Sequence, residues 1–322
     1  MKDEIILLKL IRILSDGTIY SDKQLSELLS IKRVYINKYI YILHKFGIEI
    51  NTTIHNSTSY QFSKKMDLLN YEQIYSLVKE GKIIIKPIIN STNQYLLECI
   101  DQLNSGDVCI AEYQTAGRGR RGRYWFSPFG CNLYLSLYWY LEQGPDSVMG
   151  LSLVIAIVIA ENLNKINGSN IKVKWPNDLY LNGKKLAGIL IEMIVKNEKE
   201  TNIVIGIGLN IAMNYNYKTY NINQRWINLE YVDIKIERNI IVSQIILALR
   251  RELVKFEKYG IAPFINRWLT LDIFLNKKVK LHIGNHFQVG IVKGINEQGA
   301  ILLEQNGETI SYMDGEISLL QG

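Results

Sequence analysis

Seven residues near the middle of the chain alternate glycine with arginine, a composition suited to binding an anion. Residues 117–123 include three glycines and four arginines, and no acidic residue occurs between Tyr113 and Leu141. Glycine lets backbone amides approach an anion closely, and arginine presents a planar fork of donors that matches phosphate or carboxylate. The segment therefore has the composition needed to hold a polyphosphate and to stabilise charge that develops during phosphoryl or nucleotidyl transfer.

This loop does not match the familiar nucleotide-binding motifs. It is neither G-x-x-x-x-G-K-[ST] nor a G-x-G-x-x-G segment after a strand, so P-loop and Rossmann sites are not indicated. The alternative is an arginine–glycine tract that binds RNA, but such tracts usually repeat within low-complexity sequence. Here a single copy lies between two predicted strands, residues 108–112 and 132–140. A ligand-binding loop is therefore favoured.

A second cationic candidate follows a predicted β-hairpin turn. Asn182-Gly183 between two strand-like runs is a strong signal for a two-residue hairpin. Lys185 then stands beside the apolar run 186–191, where a lysine is uncommon unless it meets an anion. We expect Lys185 to contact a ligand, and Lys184, at the start of the strand, to be exposed.

Two glycines interrupt the next predicted strand, residues 203–211. Gly206 and Gly208 lie two positions apart, so they share one face of the strand. Glycine at such positions admits either a ligand or a neighbouring strand, and the pattern alone does not separate these alternatives.

The cysteines and histidines indicate no metal site, no disulfide framework and no Cys–His nucleophile. His282 and His286 flank a Gly-Asn turn and are interpreted as ordinary strand or surface residues. The remaining candidates for such chemistry are three cysteines without a C-x-x-C pair: Cys99, Cys109 and Cys131.

The composition also bears on location and partners. No apolar run approaches the roughly 18–20 residues of a membrane span. The first residues mix charges with apolar side chains, unlike a signal peptide. We therefore expect a cytoplasmic protein that does not enter a membrane. The net charge of +6 permits nucleic-acid binding without requiring it.

Residues 1–65 predict three helices and a hairpin. A capping box, Ser21 with Gln24, begins the second helix. The third helix, predicted over residues 32–46, contains no acid. Two short helices joined by a tight turn, the second one basic, form a helix-turn-helix pattern, and strands at 48–54 and 60–62 complete a wing.

The basic third helix is the expected recognition helix, because its cations can neutralise phosphates while Asn37, Tyr35 or Arg33 reaches base edges. Tyr35, Tyr39 and Tyr41 predict an unusual surface for such a helix. The alternative is a small helical docking module with a solvated basic face. The expected DNA contacts are Lys32, Arg33, Asn37 and Lys38.

The carboxyl-terminal part changes character after an amphipathic helix predicted at residues 244–259. From Asp272 onward, short apolar runs alternate with Gly-Asn, Gln-Gly and Asn-Gly turns. That spacing predicts a small β-barrel. The predicted strands are residues 278–283, 287–292, 300–304 and 309–313.

Taken together, these motifs resemble the bacterial bifunctional biotin–protein ligases that also repress the biotin operon. The matching segments, in order along the chain, are residues 91–93, 117–123, 125–128, 174–178, 185–190 and 206–210. The resemblance implies an α+β fold with three parts. These are a winged helix-turn-helix domain at 1–65, a catalytic domain with a class II synthetase-like mixed sheet at 66–271, and an SH3-like β-barrel at 272–322.

The resemblance implies that the chain makes biotinyl-5′-AMP from biotin and ATP, with Mg²⁺ accompanying the ATP, and then transfers biotin to a carrier-protein lysine. The residues at the family's biotin-binding positions are Ser91, Thr92, Asn93, Gln114, Arg118, Gly119, Arg120 and Lys185. The residues associated with the adenylate or ATP are Trp125, Asn177 and Asn210. Residues 214–224 are expected to form a loop that orders over the adenylate.

The implied partners are the biotin carboxyl carrier protein of acetyl-CoA carboxylase, operator DNA, and a second copy of the chain when the adenylate is bound. One alternative is a ligase whose amino-terminal module no longer regulates. Another is a lipoate–protein ligase, which shares the catalytic fold and the adenylation chemistry. The arginine–glycine loop and the K-W-P-N-D segment at 174–178 favour biotin.

Overall fold

The computed structural model describes residues 2–54, 57–142, 144–197, 200–213, 225–232 and 237–320. The predicted loop at 214–224 lies outside these residues, as do His55 and Asn56 of the predicted wing turn. Among the described residues, no helix is long and apolar enough to cross a membrane.

The amino-terminal region is helical with a small sheet. The predicted capping box is confirmed, because Gln24 N donates to Ser21 Oγ over 3.2 Å and Ser21 N donates to Gln24 Oε1 over 2.8 Å. The elements are α1 (Lys2–Leu14), β1 (Tyr20–Ser21), α2 (Asp22–Leu29), a 3₁₀ turn (Arg33–Tyr35), α3 (Ile36–Lys45), β2 (Ile50–Ile54) and β3 (Thr58–Phe62). The sheet order is β1-β3-β2, in which the two-residue β1 was not predicted.

The third helix differs from its prediction in two respects. It opens with the 3₁₀ turn instead of running unbroken from residue 32. Tyr39 is also not part of its surface, because it is only 4% exposed and its hydroxyl donates to Asp3 over 2.8 Å. The physical reason is helical periodicity, since Tyr39 lies three positions after buried Ile36 and shares its inward face.

A mixed seven-stranded sheet forms the centre of the molecule. It consists of β4 (Ile83–Ile89), β5 (Val108–Gln114), β6 (Leu133–Leu141), β7 (Lys172–Lys174), β8 (Asp178–Leu181), β9 (Lys184–Asn197) and β10 (Glu200–Leu209). The order is β4-β5-β6-β10-β9-β8-β7, with only the β4–β5 pair parallel. The predicted hairpin turn is present, with positive φ at both Asn182 (50°) and Gly183 (70°).

The two faces of the sheet pack against different helices. The helices are α4 (Tyr71–Val78), α5 (Thr92–Glu98), α6 (Leu151–Asn167), α7 (Arg238–Tyr259) and α8 (Ile265–Leu271). Along β10, Ile203, Ile205 and Ile207 join the apolar core that includes α6 and α7. Val204 packs on the opposite face with Leu96 of α5. Because strand residues alternate, Gly206 and Gly208 also belong to the α5 face.

The carboxyl-terminal region is a five-stranded antiparallel sheet. Its strands are β11 (Lys278–Ile283), β12 (His286–Ile295), β13 (Ile301–Gln305), β14 (Glu308–Tyr312) and β15 (Glu316–Leu319), in the order β14-β13-β12-β11-β15. The last strand was not predicted. The apolar core of this sheet is continuous with that of the central region. Trp175 Nε1 also donates to Gly299 O over 3.0 Å, which helps hold the two regions together.

Candidate active site

A cavity of about 950 Å³ opens on the α5 face of the central sheet. The arginine–glycine loop, the start of α5, strands β9 and β10, and the edge of the carboxyl-terminal sheet all contribute to its walls. All eleven predicted ligand-contacting residues line it: Ser91, Thr92, Asn93, Gln114, Arg118, Gly119, Arg120, Trp125, Asn177, Lys185 and Asn210. The structure therefore brings together residues that are up to 119 positions apart in the sequence (210 − 91).

One end of the cavity is a buried hydrogen-bonded network at the start of α5. Ser91 caps the helix, and Thr92 N and its hydroxyl both contact Gln114 Oε1, at 2.9 and 3.2 Å. Gln114 Nε2 donates to Ser127 Oγ, and Ser136 Oγ lies 2.7 Å from Thr92 Oγ1. All five side chains are nearly inaccessible. The network therefore offers fixed hydroxyl and amide groups to a polar ring that both donates and accepts hydrogen bonds.

Glu192 joins two of the predicted residues, although the sequence did not single it out. Its Oε2 accepts from Asn93 Nδ2 and from Arg118 Nη2, each over 2.8 Å. The Arg118 and Glu192 side chains are 35% and 27% exposed, so the pair is partly shielded from water. Glu192 therefore fixes the arginine at the entrance to the polar end and the asparagine within it.

We expect Glu192→Gln to raise the KM for the small-molecule substrate by roughly fivefold to tenfold and to leave kcat nearly unchanged. Glutamine keeps an acceptor for Asn93 but turns the charge-assisted bond to Arg118 into a weaker neutral one. Steady-state kinetics measure both parameters. The matched control is Glu98→Gln on α5, because Glu98 is exposed and accepts only from Gln94 among its recorded side-chain contacts. An unchanged KM in the Glu192 variant would show that the pair does not organise the site.

The two glycines of β10 leave room for side chains from other elements. A Cβ on Gly206 would lie 2.3 Å from Asn93 Oδ1, and one on Gly208 would lie 2.3 Å from Trp125 Cε2. Gly208 pairs in register with Gly188 of β9, where a Cβ would lie 3.1 Å from the same indole ring. The paired glycines form a flat shelf that holds Trp125 in the cavity. The space that Gly206 and Gly208 leave is occupied by the side chains of Asn93 and Trp125, which is neither of the two alternatives that the sequence left open.

The arginines of the loop reach partners on both sides. Arg120 Nη1 donates to Asn177 Oδ1 over 3.1 Å, which connects the loop to the β7–β8 turn. Arg121 has φ of 56°, in the left-handed region, and lies 3.1 Å from Asp314. Arg123 contacts Glu316 at 2.5 Å. The carboxyl-terminal region thus places acidic side chains against the arginine–glycine loop. The sequence pattern of that region did not predict this contact.

Lys185 lies in the cavity wall, is largely enclosed, and forms an ion pair with an acid of the same wall. Its Nζ lies 2.8 Å from Asp178 Oδ1, and the two side chains are 19% and 15% exposed. The same ammonium is 5.7 Å from the Trp125 ring centroid. Nearby Lys174 also lines the cavity, and burial lowers its pKa. The cationic end therefore presents a shielded ammonium that is paired with Asp178.

The segment after residue 224 returns to this end of the cavity. Arg225 O accepts from Lys185 N over 3.0 Å, and Ile227 N donates to Lys185 O over 2.9 Å. Trp226 is thereby placed in the cavity wall, next to the backbone of Lys185. Asn210 Nδ2 donates to Ile227 O over 3.2 Å, so Asn210 braces the same segment.

His282 lies exposed on a strand, as expected, but its place in the cavity wall was not predicted. It is exposed on β11, opposite Glu316 of β15, and it lies in the cavity wall. The interpretation as an ordinary strand residue was therefore incomplete. Among the described residues, no group of three or more His, Cys, Asp and Glu side chains is arranged to hold a metal ion.

The predicted DNA contacts lie apart from the cavity, around α3. Arg33 is 3.6 Å from Asp22, and Lys38 is 2.9 Å from Asp3. Asn37 Oδ1 accepts a hydrogen bond from the hydroxyl of a buried tyrosine, and Lys32 is exposed. Three of the four predicted residues thus have partners within the amino-terminal region.

Comparison with known proteins identifies the family. Residues 85–210 match the biotin/lipoate A/B protein ligase family, and residues 274–320 match the biotin protein ligase C terminal domain. The bifunctional ligase/repressor BirA of Escherichia coli strain K12 is 49% identical over 319 residues, covering 99% of this chain and 98% of the relative. The chain belongs to the bifunctional ligase/repressor BirA family. The BirA of Bacillus subtilis strain 168 is 27% identical and spans 93% of both chains.

Members of the wider biotin protein ligase family also share the fold. The biotin protein ligase of Aquifex aeolicus, solved in complex with biotin and ATP, covers 76% of this chain and all of its own, with a TM-score of 0.64 and 27% identity. The match to BirA extends through the amino-terminal region, because 99% of the chain is covered. The predicted resemblance to a bifunctional ligase and repressor is confirmed at the level of the family.

Proposed function

We propose that the chain is an ATP-dependent ligase that joins biotin to a lysine of the biotin carboxyl carrier protein of acetyl-CoA carboxylase. The observation that carries this proposal is that the two ends of one cavity differ in chemistry. Buried hydroxyl and amide groups occupy one end, and Lys185 with Arg120 of the loop occupies the other. Biotin has the matching polarity, with a ureido ring at one end and a carboxylate at the other.

In the first proposed step, the biotin carboxylate attacks the α-phosphorus of ATP, and pyrophosphate leaves with the electrons of the broken P–O bond. The nucleophile belongs to the substrate, so the reaction requires no serine–histidine or cysteine–histidine pair. Lys185 and Arg120 neutralise the charge that grows on the phosphate oxygens. Trp125 and the loop exclude water from the mixed anhydride. Mg²⁺ would accompany the ATP phosphates and neutralise part of their charge.

In the second step, the carrier's lysine nitrogen bonds to the anhydride carbonyl carbon, AMP leaves, and the amine loses a proton. We test the overall reaction by the intact mass of an isolated carrier domain after incubation with the chain, ATP and biotin. The expected product carries one biotinyl group and requires both substrates. Equal or faster transfer of lipoate in a competition would identify a lipoate–protein ligase instead.

We expect Arg120→Gly to release the adenylate and to increase biotinylation of bystander lysines at least tenfold. That factor is on the order of the binding free energy that one charge-assisted hydrogen bond contributes. Arg120 connects the loop to Asn177 over 3.1 Å, so its loss opens the route from the cavity to solvent. Label on an unrelated lysine-rich protein measures the effect. Arg121→Gly is the control, because Arg121 does not line the cavity and its φ suits glycine. If the Arg120 variant stayed carrier-selective, Arg120 would not retain the adenylate.

For the amino-terminal region we propose a winged helix-turn-helix that binds operator DNA as a homodimer, with biotinyl-5′-AMP as corepressor. The order α2, turn, α3 and then the β2–β3 hairpin supports it, as does the basic surface of α3. The proposed domains are the winged helix-turn-helix at 1–65, the catalytic domain at 66–271 and an SH3-like barrel at 272–322. The proposed location is the cytoplasm. DNA binding that requires both biotin and ATP tests this part. Its absence in an active ligase would leave a module that does not regulate.

A further inference from the structure

Two adjacent apolar side chains project from the 3₁₀ turn that precedes α3. Val34 is 72% exposed and Tyr35 is 50% exposed, whereas the next residue, Ile36, is fully buried. Single exposed apolar residues are normal on protein surfaces. Here two neighbours stand together at the amino-terminal end of the proposed recognition helix, which is the end that faces base edges in helix-turn-helix proteins.

The polar side chains on the same helix are held by other parts of the protein. Asn37 accepts a hydrogen bond from the buried Tyr60 hydroxyl, and Lys38 Nζ donates to Asp3 over 2.9 Å. Arg33 lies 3.6 Å from Asp22. Asn37 would have to give up this bond for its oxygen to meet a base edge, whereas the exposed ion pairs of Arg33 and Lys38 are weak and can be exchanged for a phosphate. Val34 and Tyr35 already present apolar surface to solvent and have no such exchange to make.

The charge around this pair identifies the kind of partner. Residues 32–46 contain four lysine or arginine side chains and no acid. Cations that surround a small apolar patch complement a phosphate backbone on either side of a groove, and they would oppose docking on another basic surface. In the major groove of duplex DNA, the apolar group displayed at base edges is the C5-methyl of thymine.

We propose that Val34 and Tyr35 read thymine methyl groups, so that operator selectivity comes from apolar contacts while the cations of α3 neutralise phosphates. This inference rests on the DNA-binding part of the proposed function. The sequence offered Asn37, Tyr35 or Arg33 for contacts with base edges. This inference keeps Tyr35, adds Val34, and assigns Arg33 and Asn37 to phosphate contacts or to the internal structure of the module.

The test removes one methyl group at a time from the DNA. A duplex is first selected from a random pool with the full chain, biotin and ATP. Each thymine is then replaced singly by deoxyuridine, which lacks only the methyl group. We expect the parent to lose affinity about fourfold at one or more positions, on the order of one buried methyl group. We expect Val34→Ala to lose a similar factor on the thymine duplex and to become insensitive to deoxyuridine at that position.

Val254→Ala is the matched control, because Val254 is 59% exposed on α7, in another part of the molecule. It should bind both duplexes as the parent does, and equal thermal midpoints should show that both variants are folded. If selective binding survives every deoxyuridine substitution, or if Val34→Ala weakens both duplexes equally, methyl readout is wrong although DNA binding stands. A change in self-association of Val34→Ala without DNA would assign the pair to a protein interface instead. A pool that never enriches overturns the DNA-binding proposal and this inference with it.

Discussion

Lys185→Met is expected to slow acyl-adenylate formation by roughly 10²- to 10³-fold, with a much smaller effect on biotin binding. The Lys185 side chain is 19% exposed and lines the same cavity as Arg118 and Arg120, with its ammonium 2.8 Å from Asp178. A charge so shielded from water acts most strongly where negative charge accumulates in the transition state. Methionine keeps a long apolar side chain and removes only the ammonium. Biotin-dependent exchange of labelled pyrophosphate into ATP measures the first step alone.

Lys184→Met is the matched control for that experiment. Lys184 is adjacent on β9, does not line the cavity, and lies 5.6 Å from the Tyr231 ring centroid. The same substitution there should leave exchange close to the parental rate. Similar losses in both variants would indicate a general effect on β9, and a Lys185 variant as fast as the parent would remove Lys185 from the proposed chemistry.

Gly208→Ala is expected to weaken adenylate binding by roughly 1–3 kcal/mol, or about 5- to 150-fold, because overpacking a close-packed site displaces its neighbours. The added methyl would lie 2.3–2.6 Å from three indole atoms of Trp125. The ring would have to leave the shelf formed by Gly188 and Gly208. Isothermal titration with a non-hydrolysable adenylate analogue measures the loss.

A double-mutant cycle tests whether the indole transmits the effect. In a Trp125→Ala background the space above Gly208 is open, so Gly208→Ala should add little further loss of affinity. Losses that add fully in the double variant would mean that the methyl acts on some other part of the site. Thermal midpoints of all four proteins separate a local change from a general loss of stability.

Much of the site could be predicted because its chemistry is carried by local composition. The alternation of glycine and arginine in 117–123 and the lysine beside an apolar strand are visible in a short stretch of sequence. Their combination with the other segments points to one family, and every predicted ligand contact lies in one cavity. Contact of those residues with biotin or adenylate stays a prediction.

The remainder of the site depends on long-range register, which a single sequence does not reveal. Glu192 meets Asn93 and Arg118 because β9 pairs with β10, and β10 packs against α5. The shelf under Trp125 exists because Gly188 and Gly208 are cross-strand partners. In the fold, the two-residue β1 and the final strand β15 were missed because each is short and lacks a strong alternating pattern.

The most direct test of the central claim is pyrophosphate exchange by the full chain with ATP and either biotin or lipoate as the only acid. A biotin ligase should show rapid exchange with biotin, negligible exchange with lipoate, and the appearance of biotinyl-5′-AMP when pyrophosphate is withheld. Exchange that proceeds equally well with lipoate, or that fails with biotin in a folded protein, would contradict the claim that this cavity activates biotin.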